Sequence, residues 1–510
     1  MFARINSVGI FGMDTYMVCV EADVSRGLPH FDIVGLPDTA VKESGERVNA
    51  VIKNTGMSFP VSRITVNLAP ADKRKVGPIY DLPIYIAILK ASSQLKGDFS
   101  GCAFLGELSL NGEIRKINGA LPMVIEAQKN GIKEIFVPFD NAAESCVVKG
   151  ITVYPVKTVF DLLAHLRGSK ELAPADEADY TQSVLSPDAP DFSEVMGQFE
   201  AKFALEVAAA GGHNVMMIGP PGSGKSMLAK RLPSILPDMS FKEAIETTKV
   251  YSVAGALPAG VSLIKSRPFR SPHHTISPAG LAGGGSFVPR PGDISLAHNG
   301  VLFLDELPEF SKQALEILRQ PIEDGVINLT RSSGTVSYDC SLMLVCAMNP
   351  CPCGFYGHPT RPCTCSSGAA NRYVNRVSGP LLDRIDIHIE VPPVDYDDLS
   401  ATAKAESSAE IKKRVDAARA IQLERLKGSA ASCNAKMSPA QTKKFCVMTD
   451  SANLMLKNAF EKLGLSARAY DKILRVARTV ADLDSSELIE AEHIGRAIRF
   501  RSLDRKFWGH

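Results

Sequence analysis

The sequence predicts an α/β protein: a parallel sheet with helices on both faces, preceded by a smaller α+β domain and followed by a helical domain. Two observations predict the sheet. The apolar run Val215–Ile218 leads into a glycine-rich loop and a helical pattern, and two later apolar runs, 301–304 and 342–348, end in polar side chains. The third observation, helical spacing of apolar residues from about residue 399 almost to the end, predicts the helical domain.

The composition is that of an ordinary globular chain. Of its 510 residues, 45% are hydrophobic and 22% are charged, and we expect two to four domains because the length exceeds what one core supports. The net charge of +1 indicates no class of partner, so any surface for nucleic acid must be local. No apolar run reaches 18 residues, and Arg4 and Asp14 interrupt the start, which predicts a cytoplasmic protein without membrane contact.

Residues 1–167 are predicted to form the α+β domain. Residues 61–68 alternate polar and apolar side chains as a half-buried strand does. Residues 81–92 have a helical pattern with Pro83 in the first turn, and residues 132–138 form a further apolar strand.

Within this domain, residues 105–119 and 131–138 resemble the proteolytic domain of Lon-type proteases. Those proteases use a Ser–Lys dyad, in which an amine activates the nucleophile. In this sequence the two positions hold Ile79 and Leu121, neither of which attacks a carbonyl or accepts a proton. The resemblance therefore implies a degenerate, non-peptidase domain that acts as a scaffold or presents a surface.

Residues 168–191 are rich in Pro, Ala and Ser and set one lysine against six acidic side chains. Such a segment cannot bury enough apolar surface to order itself alone, which predicts an acidic linker. An ordered belt along the neighbouring domains is the alternative.

The glycine-rich loop after Val215–Ile218 has the G-x-x-x-x-G-K-S spacing of a phosphate-binding loop, with the strand before it and the helix after it that the motif requires. Its glycines let backbone N–H groups surround a phosphate chain. We expect Lys225 to contact the β- and γ-phosphates and the Ser226 hydroxyl to bind Mg²⁺. The predicted nucleotide-binding residues are Gly219, Pro220, Pro221, Gly222, Ser223, Gly224, Lys225 and Ser226.

Asp305 and Glu306 end an apolar run about 80 residues after this loop. A buried strand with that ending delivers two carboxylates to the sheet edge where α/β proteins bind ligands. We therefore predict that Asp305 holds Mg²⁺ and that Glu306 orients or deprotonates the attacking water.

Three further polar side chains are candidates. Asn349 ends the next apolar strand and can hydrogen-bond the water or the γ-phosphate. Arg384 lies between a helix end and a strand start, where the alternative to a catalytic role is an ion pair with Asp383 or Asp386. Arg468 lies in the first turn of a helix predicted over 466–483, where a solvated helix face is the alternative.

Four of the 11 cysteines crowd into residues 351–365, and the others lie in apolar surroundings. This distribution favours a reducing compartment with one metal site over a disulfide framework. Four thiolates from two turns suit tetrahedral Zn²⁺ in a structural role, with His358 a weaker candidate and reactive or incidental cysteines the alternative. The predicted ligands are Cys351, Cys353, Cys363 and Cys365.

Two loops are candidates for contact with nucleic acid. Residues 267–278 are rich in turn residues and contain Arg270, His273 and His274, which we expect to touch nucleic acid or a neighbouring subunit. Residues 326–338 form a predicted hairpin with Arg331 near its tip, suited to a phosphate contact. An ordinary surface hairpin is the alternative.

In this order, the motifs resemble the Mg-chelatase-like branch of AAA+ ATPases and, nearly end to end, its ComM/YifB family. The resemblance implies an AAA+ core over 192–398, a helical lid over 399–510, and a Lon-like domain before them. It also implies the sensor 1 role for Asn349, a contact of Arg384 with the neighbouring subunit's site, and the sensor 2 role for Arg468. The loop 267–278 and the hairpin would face the pore of a ring.

The function implied by the resemblance is that of a hexameric, ATP-driven DNA helicase that promotes branch migration during natural transformation and homologous recombination. Single-stranded or branched DNA would be the substrate, and recombination proteins would be further partners. A metal-insertion motor of the Mg-chelatase type and a protein-remodelling ATPase are the alternatives.

Overall fold

A computed structural model of the chain describes residues 1–176, 190–285, 288–331, 334–393, 405–463 and 466–501, together with Leu503 and Phe507. Residues 177–189 of the predicted acidic linker, residues 399–404 at the start of the predicted lid, and the hairpin tip at 332–333 lie outside the described residues.

The N-terminal part of the chain contains a mixed seven-stranded sheet in the order β3-β4-β2-β1-β5-β8-β9. The pairs β1–β2 and β2–β4 are antiparallel, and the other pairs in the sheet are parallel. Strands β6 and β7 form a separate pair. The strands are β1 (Phe2–Phe11), β2 (Asp14–Ser25), β3 (His30–Val34), β4 (Arg63–Ala69), β5 (Cys102–Phe104), β6 (Glu107–Leu108), β7 (Ile114–Arg115), β8 (Glu134–Pro138) and β9 (Thr152–Val156).

Five helices complete this α+β domain: α1 (Thr39–Asn54), α2 (Asp81–Ala91), α3 (Ala120–Lys129), α4 (Ala142–Ser145) and α5 (Val159–Leu166). The alternation predicted for residues 61–68 is confirmed, because Ile64, Val66 and Leu68 are buried in β4. Ile79 and Leu121, at the positions of the protease dyad, are buried apolar residues and so serve packing.

The middle of the chain contains a five-stranded sheet in the order β11-β14-β17-β10-β18, in which every pair of neighbours is parallel. The predicted parallel sheet is therefore confirmed. The two short pairs β12–β13 and β15–β16 lie beside it as antiparallel hairpins. The strands are β10 (Val215–Ile218), β11 (Phe269–Arg270), β12 (Gly283–Gly284), β13 (Arg290–Pro291), β14 (Val301–Leu304), β15 (Val326–Arg331), β16 (Gly334–Asp339), β17 (Met343–Met348) and β18 (Ile387–Glu390).

Successive residues of the central strands face two different apolar cores. Val301 and Phe303 of β14 belong to one core, and Leu302 and Leu304 belong to the other. Both faces of the sheet are thus covered, as expected for a parallel sheet. The helices of this part are α6 (Phe199–Gly211), α7 (Lys225–Arg231), α8 (Phe241–Ala254), α9 (Pro278–Ala282), α10 (Asp293–Leu296), α11 (Lys312–Ile317), α12 (Arg319–Asp324), α13 (Ala369–Val374) and α14 (Gly379–Leu382).

The C-terminal part is helical, as predicted. Ser466 caps α18 by accepting a hydrogen bond from the Ala469 N–H, which explains why that helix begins where the sequence predicts. Apolar residues of this part share one core with the sheet. No described helix is long and apolar enough to cross a membrane. The helices are α15 (Ser408–Arg425), α16 (Pro439–Phe445), α17 (Asp450–Leu463), α18 (Ala467–Leu483) and α19 (Ala491–Arg499).

The N-terminal domain packs against α8 of the central part through polar contacts. The Gly119 N–H donates to the Ser252 carbonyl at 3.0 Å, and the Ser252 hydroxyl donates to the Glu144 carboxylate. The Lys116 ammonium donates to the Leu257 carbonyl at 3.2 Å.

Candidate active site

The predicted phosphate-binding loop connects β10 to α7 at the carboxyl edge of the sheet. A Cβ on Gly219 would lie 2.2 Å from the Val391 carbonyl oxygen, so only glycine fits beside this neighbouring chain segment. Gly224 has a φ of +88°, a conformation that glycine adopts without strain. Sterics at Gly219 and backbone conformation at Gly224 therefore explain why glycine occupies these two positions of the motif.

The Lys225 side chain is 8% exposed and lies inside this loop. Its ammonium donates to the carbonyl oxygens of Gly219 and Pro220, both at 2.8 Å, and lies 3.4 Å from Oδ1 of Asn349. Burial lowers the pKa of Lys225 to about 8, although nearby Asp305 acts in the opposite direction. The structure therefore brings the predicted Lys225 and Asn349 together.

Ser226 and Asp305 also meet at this edge. The Ser226 hydroxyl, in the first turn of α7, donates to Oδ2 of Asp305 at 2.5 Å. Two hard oxygen ligands side by side at the end of a phosphate-binding loop are the type of donor set that Mg²⁺ takes. The residues present therefore fit the metal that the sequence predicts.

Glu306 follows Asp305 with a φ of +53°, an uncommon conformation for a residue other than glycine or asparagine. Its carboxylate oxygen Oε2 lies 3.1 Å from Nδ1 of His274, which comes from the loop after β11. The other predicted histidine of this loop, His273, lies 2.9 Å from the Thr275 hydroxyl. The sequence carried no signal for the pairing of His274 with Glu306.

Arg384 lies at the other end of the sheet. It comes just before β18, where Asp386 accepts a hydrogen bond from the Asn214 N–H at 3.1 Å, next to the start of β10. Lys225 follows the carboxyl end of β10, whereas Arg384 lies near the start of that strand. Because the four residues of β10 span about 13 Å, Arg384 and Lys225 are on opposite edges of the sheet. Its guanidinium lies 2.7 Å from Glu323, so its ion-pair partner is not one of the two aspartates considered from the sequence.

Arg468 lies near Arg384, on the same side of the molecule. Its side chain is 69% exposed, and its guanidinium lies 3.9 Å from Asp383. Both arginines line a cavity of 780 Å³ between the sheet and the helical part. Within one chain, the structure thus separates the predicted site residues into a phosphate-binding group and an arginine group.

Asp386 belongs to a buried network that joins this edge to the helical part. It lies 3.0 Å from Lys472 of α18 and 3.5 Å from the ring of His213. Burial opposes its ionisation, but the Lys472 ammonium and the hydrogen bond of the His213 ring outweigh burial and hold the pKa of Asp386 well below its usual value.

The four predicted cysteine ligands converge, with every pair of Sγ atoms within 4.8 Å. Sγ of Cys351 lies 3.4 Å from that of Cys353 and 3.8 Å from that of Cys363. Tetrahedral Zn–S bonds of about 2.3 Å would separate the sulfurs by about 3.8 Å, so the donor set fits zinc. The ring of His358 instead accepts hydrogen bonds from the backbone of its own loop.

Residues 351–365, which carry the four cysteines and are called the cysteine loop below, pack against the phosphate-binding loop. A Cβ on Gly354, between Cys353 and Phe355, would lie 2.4 Å from Cδ of Pro221. The sequence did not predict this contact, because nothing in the spacing of the cysteines indicates which surface the loop covers.

The predicted hairpin consists of β15 and β16, and the hairpin β12–β13 supports it. The guanidinium of Arg331 donates to the carbonyls of Thr330 at 2.8 Å and Gly285 at 3.4 Å, and within the described residues it pairs with no carboxylate. Arg270, by contrast, donates to Asp293 at 2.7 Å and has a partner within the chain.

Three family models match the chain. They are described as magnesium chelatase, subunit ChlI, over residues 191–399; subunit ChlI of Mg-chelatase over 20–141; and the C-terminal part of that subunit over 405–501.

Two full-length relatives agree with this result. The chain is 42% identical to YifB of Escherichia coli, with 98% of this chain and 97% of that protein covered. It is 41% identical to the competence protein ComM of Haemophilus influenzae, with 99% and 98% covered. A partial match to Lon protease 2 of Bacillus subtilis, 30% identical, covers 24% of this chain and 22% of the protease. The chain therefore belongs to the Mg-chelatase-like family of AAA+ proteins that includes YifB and the competence protein ComM.

Proposed function

We propose that this chain is an ATP-dependent DNA translocase that works as a homohexameric ring and promotes branch migration of recombining DNA. The observation that carries the proposal is the separation of Arg384 and Arg468 from the phosphate-binding residues of the same chain. Among the residues that the structure describes, the side-chain partners of Lys225, Asp305 and Glu306 include no arginine, so in this proposal a second copy supplies the arginine for the γ-phosphate.

The role proposed for each residue follows from the chemistry of its side chain. Lys225 contacts the β- and γ-phosphates, Glu306 takes the proton of the attacking water, and Asn349 orients that water. Ser226 and Asp305 would hold Mg²⁺, which neutralises charge on the phosphate oxygens when bound.

An arginine from the neighbouring subunit stabilises charge that develops on the transferring phosphoryl group. Such an arginine accelerates hydrolysis on the order of 10³–10⁵-fold, equivalent to about 4–7 kcal/mol of barrier. Arg384 and Arg468 are the two candidates, since both line the cavity at the far edge of the sheet. In this arrangement ATP turnover depends on ring assembly.

The hairpin β15–β16 is the proposed contact with DNA. Arg331 has no carboxylate partner among the described residues, so its charge is available to a phosphate. Ile327, Leu329 and Val336 anchor the hairpin in the apolar core that also contains Leu302 and Leu304 of β14. Movement at the nucleotide site can therefore reach the hairpin through packed side chains.

The biological setting of the proposal rests on the relative named competence protein ComM. We propose that the substrate is single-stranded or branched DNA during integration of transforming DNA, with recombination proteins as partners. Among the described residues Arg331 pairs with no carboxylate, which favours a phosphate ligand over the metal-insertion motor and the protein-remodelling ATPase. Both of these alternatives predict ATP turnover that is indifferent to DNA.

The four cysteines are proposed to hold one structural Zn²⁺ per chain. Cys351, Cys353, Cys363 and Cys365 would fill all four positions, leaving no open position for a water. Bound zinc would fix the turns of a loop that contacts Pro221 of the phosphate-binding loop. Metal analysis should give one zinc per chain, and near zero for the double variant Cys353→Ser and Cys365→Ser.

The test of the proposed function is ATP hydrolysis by the full chain with single-stranded, duplex and forked DNA. We expect stimulation by DNA that is abolished in Glu306→Gln and weakened in Arg331→Ala. Arg4→Ala, in the N-terminal sheet and paired with Glu21, is the matched control for loss of a surface arginine and should behave as the wild type. Turnover indifferent to every DNA, with no DNA binding at low salt, would leave protein remodelling as the better hypothesis.

A further inference from the structure

The turn between β1 and β2 of the N-terminal domain packs directly on the hairpin β15–β16. Phe11 and Asp14 pair across this turn, so its tip consists of Gly12 and Met13. A Cβ on Gly12 would lie 2.1 Å from Cγ1 and 2.9 Å from Cγ2 of Val336 in β16. The backbone of the turn is therefore in van der Waals contact with a side chain of the hairpin that is 1% exposed.

The same contact reaches the end of the hairpin that carries Arg331. Gly334 is the strand partner of Arg331, and a Cβ on Gly334 would lie 3.2 Å from the ring of Phe11. Phe11 and Met13 also pack against the apolar core that contains Val336. The turn thus supports the half of the hairpin that is proposed to meet DNA.

A hairpin of two strands is marginally stable in water unless other elements pack on it. Leu329 and Val336 are paired across the hairpin and are its outermost buried side chains among the described residues. A Cβ on Gly283 of β12 would lie 2.9 Å from Leu329, so the central part of the chain holds one member of the pair. The N-terminal turn holds the other, and Arg331 lies only two residues beyond Leu329.

The turn has a fixed position because the N-terminal domain is anchored to α8. The Gly119 N–H donates to the Ser252 carbonyl at 3.0 Å. A Cβ on Gly119 would lie 2.8 Å from Ile10, just before the turn, and 3.7 Å from Val253 of α8. The N-terminal domain therefore contacts α8 and the hairpin at the same time.

We propose that the N-terminal domain positions the DNA-contact hairpin, with Gly12 and Phe11 as the positioning residues that fix Arg331 where it meets a phosphate of DNA. This inference rests on the proposed role of the hairpin as the DNA contact. It assigns a function in DNA binding to a domain that lacks the protease dyad.

The test is a double-mutant cycle of Gly12→Ala and Val336→Ala in the full chain, read by the anisotropy of a labelled forked DNA at low salt. Val336 is buried and β-branched, so it cannot turn away from a new methyl group, and the hairpin must shift. We expect Gly12→Ala to weaken DNA binding about five-fold or more, the lower end of typical coupling between two sites. The affinity for an ATP analogue should not change.

In the Val336→Ala background, Gly12→Ala should cost little affinity for DNA, because the new methyl group fills space that the valine side chain has left. Gly56→Ala is the matched control for backbone strain. Gly56 lies in the same domain with a φ of +73°, against +64° at Gly12, but nothing lies within 4 Å of a Cβ there. This variant should bind DNA as the wild type does.

Two results would overturn the inference: Gly12→Ala binds DNA as tightly as Gly56→Ala, or it loses the same affinity in both Val336 backgrounds. Hydrogen exchange without DNA separates the inference from the proposed function. The amides of β15 and β16 should exchange faster in Gly12→Ala than in Gly56→Ala, and equal rates would show that the turn does not hold the hairpin. A wild type that binds no DNA would overturn the proposed function, whereas the exchange rates would still decide whether the turn holds the hairpin.

Discussion

Lys225 is buried within the phosphate-binding loop, which is unusual for an ammonium group. Carbonyl oxygens of its own loop bind it at 2.8 Å and replace the water that burial removes. These partners are neutral, so they compensate desolvation only in part, and the pKa of Lys225 falls to about 8. A triphosphate brings the negative charge that the loop lacks.

This environment predicts that ATP binding weakens above pH 8. As the pH rises through the pKa of about 8, free Lys225 loses its proton, whereas bound triphosphate holds the proton on. Binding then requires proton uptake, and the affinity for a non-hydrolysable ATP analogue should fall by up to about ten-fold per pH unit. Calorimetry between pH 7 and 9.5 measures this affinity.

Lys225→Arg supplies the control for this pH dependence. A guanidinium remains charged throughout the range, so whatever affinity the variant retains should not change with pH in the same way. If wild-type affinity is also flat up to pH 9.5, then Lys225 is charged in the free protein and the loop compensates its burial fully.

At the scale of elements, the cysteine loop and the phosphate-binding loop are expected to act as one unit. Gly354 and Gly357 both have positive φ, of +83° and +76°, so alanine strains the backbone similarly at either position. Only at Gly354 would the new Cβ meet a neighbour, Pro221 at 2.4 Å, while at Gly357 nothing lies within 4 Å.

Gly354→Ala should therefore weaken binding of the ATP analogue about ten-fold more than Gly357→Ala does, since overpacking typically costs about 1–3 kcal/mol. Zinc content should be equal in the two variants. Equal zinc content would show that the weaker binding results from displacement of Pro221 and not from loss of the metal site. Equal affinities would mean that the cysteine loop moves away without disturbing the phosphate-binding loop.

The helical part contains a buried network centred on Asp482. Its carboxylate accepts from Arg425 at 2.9 Å, from Arg478 at 3.0 Å and from the Asn434 amide at 2.8 Å. Asp482→Asn leaves two guanidinium groups without a counter-charge, and we expect the free energy of opening α18 to fall by about 3 kcal/mol. Hydrogen exchange of the α18 amides measures this local free energy.

Glu492→Gln is the comparison for that variant. Glu492 pairs with Arg496 at 2.6 Å on an exposed helix face, so its loss should change stability by less than about 1 kcal/mol. Exchange rates that respond equally to both substitutions would show that the buried network contributes no more than a surface pair.

The elements that the sequence predicted are those whose signal is local. All six residues of β17 are buried, so an unbroken apolar run marks the strand, and the polar Asn349 marks its end. Strand β11, by contrast, has only two residues, Phe269 and Arg270. Because β11 pairs with β14, His274 lies beside Glu306. A two-residue strand has no apolar run from which this pairing could be predicted.

At the scale of the whole molecule, the two groups of site residues lie on opposite edges of the central sheet. One edge has Lys225, Ser226 and Asp305, and the other has Arg384 and Arg468. A head-to-tail contact between identical chains joins unlike surfaces, and its repetition gives the proposed ring where the rotation between neighbours closes on itself. The same contact would complete one site per subunit.

This arrangement predicts that two inactive variants restore activity when mixed. Arg384→Ala keeps the phosphate-binding edge, and Lys225→Ala keeps the arginine edge, so each alone should hydrolyse little ATP. In mixed rings, a subunit with intact Lys225 next to one with intact Arg384 forms a complete site. Random assembly of equal amounts gives such a site at about a quarter of the interfaces, and ATPase activity should recover to about that fraction.

Mixing Lys225→Ala with Asp305→Ala is the matched control for this experiment. Both substitutions lie on the phosphate-binding edge, so no interface in the mixture contains a complete set, and activity should stay near zero. If Arg384 acts within its own chain, the first mixture will also stay inactive, because no single subunit then holds both Lys225 and Arg384. Recovery in the first mixture alone would therefore assign Arg384 to the neighbouring subunit's site, and repeating it with Arg468→Ala assigns the second arginine in the same way.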